Sequence, residues 1–111
     1  MGKQKYLGTF EQLVLYAVDR LGPEEAYGVE IQKSIAINTN NDFSIGAVTT
    51  TLSRLQRDGL VSSVWGEKTA ERGGRRKRFF KIEAAGYRAL NETQNAIETM
   101  RLGALPAPAG A

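Results

Sequence analysis

Apolar residues recur at helical spacing in four stretches of the chain, separated by short polar or glycine-containing segments. In the first stretch, Thr9 and Gln12 have the spacing of a capping box, and the apolar stripe that follows predicts a helix ending at the Gly22-Pro23 pair. The stripe consists of Phe10, Leu13, Val14, Ala17, Val18 and Leu21. Leu15 and Tyr16 lie outside it, so this helix is either buried on more than one side or also faces a partner subunit.

The next two apolar patterns predict a pair of helices joined by a short turn. The second helix begins near Tyr27, and its apolar positions are Val29, Ile31, Ile35 and Ile37. It ends in the polar run NTNND over 38–42, because such side chains hydrogen-bond to nearby backbone and favour turns. Ser44 is a suitable N-cap for the third helix, and Gly59 is a suitable left-handed residue after its end. The inward stripe of the third helix is Val48, Leu52 and Leu55.

After the third helix, the helical spacing gives way to strand-like runs. The segments LVSSVWGE and RKRFFKI are rich in valine, aromatic residues and isoleucine, and they predict two antiparallel strands. The Gly73-Gly74 pair predicts the turn between them, within a loose loop over 67–76. Strict alternation places Phe80 and Ile82 on the side of the second strand that packs on the core, with Phe79 on the other side.

The last helix is predicted from about Glu83 to Arg101, and its apolar positions follow a spacing close to that of a coiled coil. This seam consists of Tyr87, Leu90, Thr93, Ile97, Met100 and Ala104. Since little else in a chain of 111 residues remains to cover it, the seam predicts a homodimer, with Leu15 and Tyr16 of the first helix also in the interface. Packing of the seam on the first helix within one protomer is the alternative.

The predicted order of helix, helix, helix, hairpin, helix is typical of a winged helix-turn-helix. The fold class is therefore mainly α with a small β-hairpin, completed by a C-terminal dimerisation helix. In this division, residues 1–83 form the winged helix-turn-helix domain, residues 84–102 the dimerisation helix, and residues 103–111 a disordered tail rich in proline, glycine and alanine.

The composition argues against several functions. The chain has no cysteine and no histidine, so it lacks thiolate nucleophiles, disulfides, the commonest general base and the commonest transition-metal ligand. No pair of acidic residues forms a recognisable acid-base or metal motif. We therefore expect no enzyme activity, no cofactor and no metal. The sequence also shows neither a membrane-spanning apolar run nor a secretory signal, which favours a cytoplasmic protein that does not enter a membrane.

Positive charge is concentrated in one short segment of the chain. From Lys68 to Lys81, seven basic residues accompany the single acidic residue Glu71, whereas the whole chain has a net charge of +3. The remainder of the chain is therefore acidic on balance. Such a focused field predicts a polyanionic partner or an anionic membrane surface.

The outward face of the third helix indicates how a nucleic acid would be read. With the apolar stripe turned inward, this face carries small, hydroxylated and basic residues, namely Gly46, Thr50, Ser53, Arg54 and Arg57. A major groove admits a helix whose exposed side chains are short and can hydrogen-bond, and arginine pairs with guanine or clamps phosphate. For this helix on its own, a solvated face that lacks acids by chance is the alternative.

The hairpin strengthens the nucleic-acid interpretation. Its basic tip is predicted from four arginines, Arg72, Arg75, Arg76 and Arg78. Arginine suits the recognition of phosphate or of a narrow minor groove, while the glycines turn the chain and the phenylalanines fasten the strand. One competing interpretation is a protein-protein adaptor that docks the basic hairpin on an acidic partner. Another is an RNA or single-strand binder that stacks bases on Trp65, Phe79 and Phe80.

These elements together resemble the PadR family of bacterial transcriptional regulators. The similar stretches are LGTFEQLVLYAV in the first helix, AYGVEIQKSI in the second, SIGAVTTTLSRLQRDGLVSS from the third helix into the hairpin, and ERGGRRKRFFKIEAAGYRAL from the hairpin into the last helix. The resemblance is to the small subtype, in which one C-terminal helix mediates dimerisation. It implies sequence-specific binding of a double-stranded DNA operator by a homodimer, usually as a repressor.

The resemblance also implies roles for individual residues. Groove contacts would come from the recognition helix and its cap, through Ser44, Gly46, Ala47, Thr49, Thr50, Ser53, Arg54 and Arg57. The wing would contact the DNA backbone or minor groove through Arg72, Gly73, Gly74, Arg75, Arg76, Lys77 and Arg78. Thr49 stands where the family commonly has tyrosine, so a phenolic contact near the DNA backbone is missing. Some members respond to phenolic acids or bind planar drugs between the subunits, which leaves room for a small aromatic effector near Tyr16, Trp65 or the last helix.

Overall fold

The computed structural model describes residues 6–67 and 76–103 of the chain. Its elements are α1 (Thr9–Leu21), α2 (Gly28–Thr39), α3 (Ile45–Arg57), β1 (Val61–Trp65), β2 (Arg78–Ile82) and α4 (Ala84–Gly103). This order, with one two-stranded antiparallel sheet in the described part, confirms the predicted winged helix-turn-helix that continues into a last helix. The predicted Gly73-Gly74 turn and the predicted tail beyond residue 103 lie outside the described residues. In the part of the chain that is described, no helix has the length and apolar character needed to cross a membrane.

A cluster of buried side chains joins all the helices and both strands. It consists of Val14, Leu15, Ala17, Val18, Ala26, Ile31, Ile35, Val48, Leu52, Leu55, Val61, Phe80, Ile82 and Leu90. Leu15 is fully buried in this cluster, so its position outside the first apolar stripe reflects burial on more than one side of α1. The prediction that Leu15 faces a partner subunit is therefore wrong, because none of its surface remains open.

The start of α1 differs from the predicted capping box by one residue. Gly8 is the N-cap, and its backbone N–H donates to Oε1 of Glu11 at 2.8 Å. Gln12 is instead buried, and its Nε2 donates to the backbone oxygen of Leu7 at 3.2 Å. At the other end, Gly22 has φ +81° and its N–H donates to the oxygen of Val18, which ends the helix as predicted.

The second and third helices form the helix-turn-helix pair. In α2, Ile31 and Ile35 are buried as predicted, but Val29 is 44% exposed and Ile37 is 79% exposed, so these two residues do not belong to the inward stripe. The predicted cap of α3 is confirmed, because the Ser44 hydroxyl accepts a hydrogen bond from the Ala47 N–H at 3.0 Å. This cap fixes the residue at which α3 begins.

The hairpin is attached to the body by its second strand. Val61 pairs with Ile82 at one end of the ladder and Trp65 pairs with Arg78 at the other. Phe80 and Ile82 are buried, as the alternation predicted. Phe79 points the other way and packs edge-on against Tyr27, the N-cap of α2, with ring centroids 5.4 Å apart. A backbone bridge between Tyr27 and Phe79 and a hydrogen bond from the Phe80 N–H to the Ala26 oxygen complete the attachment.

The first half of α4 packs on the rest of the protomer. Gly86 is buried there, and a Cβ added to it would overlap the backbone oxygen of Leu60 and lie 2.6 Å from Cγ2 of Ile82. The absence of a side chain therefore allows α4 to approach the start of the hairpin closely. Leu90 and Thr93 are also buried, and the Thr93 hydroxyl accepts the Leu7 N–H at 2.9 Å.

Candidate nucleic-acid interface

One face of α3 is turned into the core and the other is open to solvent. Val48, Thr51, Leu52 and Leu55 are buried. All the residues of α3 that the sequence assigned to the groove are exposed, and these are Gly46, Ala47, Thr49, Thr50, Ser53, Arg54 and Arg57. We call this set the α3 face. Its first half has short side chains and its second half carries the arginines, so the face can approach closely at one end and donate charged hydrogen bonds at the other.

Ser44 has a different part in this surface. Its hydroxyl oxygen accepts the Ala47 N–H, so the side chain caps the helix, and its O–H can still donate a hydrogen bond. The N-terminal end of α3 is exposed beside it. This end contributes partial positive charge and backbone N–H groups, a combination that favours a phosphate.

Each arginine of the α3 face has an acidic neighbour. Nε of Arg54 lies 3.8 Å from Oε2 of Glu11 on α1, and Nε of Arg57 lies 3.3 Å from Oδ1 of Asp58. Both arginines remain substantially exposed, so these pairs orient the guanidinium groups at little energetic gain. The sequence pattern did not reveal Glu11, because that residue reaches α3 from another helix.

Arg78 is not at the tip of the hairpin, where the sequence placed it. It is the first residue of β2 and pairs with Trp65 across the ladder. Its Nε donates to the Ser63 hydroxyl at 2.8 Å, and its Nη2 donates to Oε1 of Gln56 at 3.4 Å. The guanidinium carbon also lies 5.3 Å from the centre of the Trp65 ring. Arg78 therefore lies along the hairpin and connects it to the end of α3.

Two more basic residues lie just before β2 and continue the surface. Nε of Arg76 donates to the backbone oxygen of Gly66 at 2.8 Å, and its guanidinium carbon is 6.0 Å from the Trp65 ring centre. Nζ of Lys77 lies 5.0 Å from the centre of the Tyr27 ring. Both side chains are exposed. The remaining wing residues that the sequence proposed lie outside the described residues, and these are Arg72, Gly73, Gly74 and Arg75.

A concave surface separates the α3 face from the hairpin. A crevice of about 330 Å³ lies between the start of α2, α3 and the two strands, with Thr49, Trp65 and Tyr27 in its walls. An adjoining crevice of about 340 Å³ is bordered by Gln56 and Arg57. The two share Ser53, Arg78 and Phe80 as lining residues. The helix and the hairpin thus frame one groove with cationic walls.

Sequence reasoning missed the side chains that join the helix to the hairpin. Gln56 and Ser63 read as ordinary polar residues, yet the Ser63 hydroxyl donates to Oε1 of Gln56 at 2.8 Å, and both are bonded by Arg78. No periodicity within one element pairs these residues, because they lie on α3, β1 and β2. Across the described ranges, no group of three or more acidic, histidine or cysteine side chains is placed to hold a metal ion.

The residues predicted for a dimer interface divide into two groups. Leu15, Leu90 and Thr93 are buried within the protomer, which removes them from any open surface. Tyr16, Tyr87, Ile97 and Met100 are exposed, as is Leu102 at the end of α4. Leu90 and Thr93 of the predicted seam are therefore intramolecular, Tyr87 is exposed in the first half of α4, and the second half of α4 is open as far as residue 103. A shallow crevice of about 650 Å³ lies on this open half beside Tyr6.

Tyr87 is exposed on its ring but bonded at its hydroxyl. The hydroxyl donates to Oδ1 of Asp19 on α1 at 2.7 Å. This hydrogen bond raises the pKa of Tyr87, and desolvation and the negative charge of Asp19 raise the pKa further. The bond connects α4 to α1 within the protomer, so Tyr87 contributes first to the fold of one chain.

Comparison with known proteins identifies a family and a shared fold. The model of the family described as "Transcriptional regulator PadR-like family" matches residues 14–92. No protein of curated function matches the sequence.

Several solved structures share the fold. A transcriptional regulator from Clostridium thermocellum is 22% identical, with a TM-score of 0.67 over 83% of this chain and 82% of that chain. A PadR-like regulator from Bacillus cereus is also 22% identical, with a TM-score of 0.65 over 86% of each chain. A PadR family regulator from Eggerthella lenta is 23% identical, with a TM-score of 0.63 over 83% of this chain and 77% of that chain.

Proposed function

This chain belongs to the PadR-like family of transcriptional regulators, and we propose that it acts as a homodimeric repressor that reads an operator with α3 and holds the DNA backbone with its hairpin. As a member of this family, it is a DNA-binding regulator and not an enzyme. To this family-level function the proposal adds three points: separate DNA contacts for the helix and the hairpin, a homodimer, and repression rather than activation. Repression is the activity that the resemblance to this family usually implies.

The observation that carries the proposal is the α3 face, whose described residues include no acid. Its first half consists of glycine, alanine and threonine, which are all exposed and short. Such side chains let the helix lie deep in a major groove, where threonine can hydrogen-bond to base edges and its methyl group can contact thymine. Ser53 and Arg57 follow one and two turns later on the same side. We therefore assign sequence reading to Thr49, Thr50 and Ser53.

The hairpin supplies a second, sequence-independent contact. Arg76 and Lys77 are exposed at the end of the ladder that lies beyond Trp65. Contacts to phosphate position a protein on DNA and supply most of its non-specific affinity, but they carry no base information. We therefore assign backbone binding to Arg76 and Lys77. The basic residues at 72 and 75 would extend this contact.

The open half of α4 supports the dimer. Ile97 is 50% exposed, Met100 is 75% exposed and Leu102 is 70% exposed, and large apolar residues grouped on one helix mark an interaction surface. A second copy of the same helix would cover them with the same residues, as a two-fold interface requires. A two-fold dimer would present two α3 helices to successive major grooves, about 34 Å apart along the DNA.

The proposal is tested by measuring duplex binding against salt and against single-stranded competitor. The affinity for a mixed-sequence duplex should fall with salt at a log-log slope of roughly 0.9 per phosphate neutralised. Arg76→Ala should lower that slope by about one phosphate and weaken all duplexes alike. Arg88→Ala, which removes an exposed arginine from α4, is the matched control and should leave binding unchanged.

Two results would contradict the proposal. Displacement by single strands as effective as displacement by duplex would identify a single-strand binder. Duplex binding that is absent at low salt, combined with retention of an acidic protein, would identify an adaptor. The repressor assignment has its own test, since transcription from a promoter that overlaps the bound site should decrease in a purified system when the protein is added.

A further inference from the structure

We infer that Gln56, Ser63 and Arg78 form an anchor that sets the orientation of the hairpin relative to α3, and that Arg78 is a positioning residue rather than a phosphate ligand. This inference rests on the proposed function, because its consequence is expressed in how the hairpin meets DNA. We call the three residues the wing anchor. Gln56 and Ser63 are neutral, and the sequence analysis did not select them. The inference gives both a role in DNA binding through the position of the hairpin rather than through contact with DNA.

The wing anchor connects three elements through one set of hydrogen bonds. Gln56 lies in the last turn of α3, Ser63 at the centre of β1, and Arg78 at the start of β2. The Ser63 hydroxyl accepts from Nε of Arg78 at 2.8 Å and donates to Oε1 of Gln56 at 2.8 Å. Nη2 of Arg78 donates to the same glutamine oxygen at 3.4 Å. The bonds form a closed triangle, so each side chain restrains the other two.

Aromatic rings hold the guanidinium of Arg78 from the hairpin side. Its central carbon lies 5.3 Å from the centre of the Trp65 ring and 5.8 Å from that of Phe80. Both distances are within the range of a cation-π contact. Phe80 is buried in the core. Arg78 is exposed, but its guanidinium is held by α3 on one side and by the rings of the hairpin on the other, so its hydrogen bonds are already committed within the protein.

The wing anchor lies where it can set the angle between the hairpin and α3. Arg78 pairs with Trp65 in the last pair of the ladder before the basic segment. On the edge of β2 that does not pair with β1, a backbone bridge between Tyr27 and Phe79 attaches the strand to the start of α2. The anchor adds a side-chain connection to the recognition helix itself. Loosening it would let the basic end of the hairpin change its angle to α3 while the core stays intact.

The neutral charge of Gln56 makes the inference testable. A residue without charge releases no counterions when it meets DNA, so its loss cannot change the salt slope directly. A changed slope in Gln56→Leu would therefore report charged groups elsewhere that no longer reach phosphate. Asn91→Ala is the control, since it also removes a neutral polar side chain but lies on the exposed surface of α4, outside the α3 face and the anchor.

The experiment measures duplex affinity over a range of salt for the wild type, Gln56→Leu, Arg76→Ala and the double variant. We expect Gln56→Leu to weaken binding about tenfold and to reduce the slope by roughly 0.9 to 1.8, which corresponds to one or two phosphates. Arg76→Ala should cost less in the Gln56→Leu background than in the wild type, because the hairpin has already lost its position. Asn91→Ala should leave both the affinity and the slope unchanged.

Arg78→Lys separates positioning from simple charge. Lysine keeps the positive charge but not the planar group that bonds two partners at once. The anchor predicts that Arg78→Lys behaves like Gln56→Leu and alters the free protein, whereas the loss of a phosphate ligand would weaken binding without altering the free protein. Trp65 is the only tryptophan of the chain, so its fluorescence reports on the anchor in the free protein. The emission should change in Gln56→Leu and in Arg78→Lys. Gln56→Glu retains the acceptor, so its emission should be closer to that of the wild type than the emission of Gln56→Leu is.

Each outcome decides the inference. An unchanged slope in Gln56→Leu, additive effects with Arg76→Ala, or wild-type binding by Arg78→Lys would overturn it. Ser63→Ala removes the central hydroxyl with a smaller change in packing, and it should reproduce the slope effect if Gln56→Leu proves unstable. Failure of the proposed function would look different, because the wild type itself would then show no salt-sensitive duplex binding.

Discussion

The hydroxyl of Tyr87 donates a hydrogen bond to Oδ1 of Asp19 at 2.7 Å, and it thereby joins the last helix to the first within one protomer. The first half of α4 is therefore part of the monomer fold, together with buried Leu90 and Thr93. The second half of α4, as far as the described residues extend, leaves Ile97, Met100 and Leu102 open to a second copy.

The Tyr87 bond predicts a loss of stability at high pH. Because the folded-state pKa of Tyr87 is raised, mainly by this hydrogen bond, its contribution is fully present below the unfolded-state value of about 10 and is lost as the pH rises through the folded-state pKa. At pH 7, Tyr87→Phe should cost about 1 kcal/mol or less at this half-exposed site. Denaturant unfolding at pH 7 and above pH 10 checks this, and a difference between the two proteins that persists unchanged at high pH would contradict it.

Substitutions of Thr93 should lower the stability of the protein through the loss of its hydroxyl rather than through the loss of its volume. It is buried and accepts the backbone N–H of Leu7 at 2.9 Å. Thr93→Val keeps the shape but leaves that N–H without its partner, at a cost of about 1 to 3 kcal/mol. Thr93→Ser keeps the hydroxyl and should be less destabilising than valine. Equal stability of the valine variant and the wild type would show that the Leu7 contact contributes nothing.

Two glycines on helices should respond to alanine in opposite directions. Gly86→Ala places a methyl group into the Leu60 backbone, and we expect a loss of about 3 kcal/mol or more. Gly46→Ala meets no atom closer than 3.9 Å, and alanine should stabilise the helix by up to about 0.5 to 1 kcal/mol. Thermal unfolding of both variants tests this contrast, which fails if both shift the midpoint in the same direction.

Charge on the open half of α4 should separate the subunits. Met100→Glu places a carboxylate on a surface where Met100 is 75% exposed in the protomer. If this surface is the dimer interface, the variant should be monomeric while its helical content stays unchanged. Ile37→Glu is the control, since Ile37 is similarly exposed on α2. Sedimentation of both variants checks the result, and a Met100→Glu dimer as stable as the wild type would place the interface elsewhere.

Removing the charge of Glu11 should strengthen DNA binding. Its carboxylate pairs with Arg54 at 3.8 Å on the edge of the α3 face. Glu11→Gln retains an acceptor for the Gly8 N–H but removes a negative charge near the proposed DNA surface. We expect an increase of about two- to fivefold in duplex affinity at low salt, because exposed pairs interact by less than about 1 kcal/mol, and a smaller increase at high salt. Glu98→Gln on α4 is the control.

The fold was predictable because its signals are local. The Ser44 cap, the glycine that ends α1 and the alternation around Phe80 each involve residues that are close in the sequence, and the structure confirms all of them. The cap of α1 was displaced by one residue because Glu11 bonds the Gly8 N–H, so that Gln12 enters the core. When several polar residues are adjacent in the sequence, each of them could cap the N-terminus of the helix, and the sequence alone does not distinguish them.

The interactions between elements were not predictable in the same way. The exposed Ile37 fits the helical spacing of α2 as well as the buried Ile35 does, and only the packing partner distinguishes the two. Gln56 and Arg78 meet across 22 positions of sequence, and no periodicity connects them. The seam of α4 is continuous in the sequence, but within the described residues only Leu90 and Thr93 of it are buried in the protomer. These features depend on tertiary placement, which a pattern along one element does not encode.

The most direct test of the account is selection of bound sequences from a random duplex library by the purified protein at near-physiological salt, repeated with Thr50→Ala. The account predicts an inverted repeat whose half-sites are centred about one helical turn apart, and a changed base preference within the half-site for the variant. Binding at low salt without any recovered motif, or the same motif from both proteins, would contradict the claim that the α3 face reads the operator.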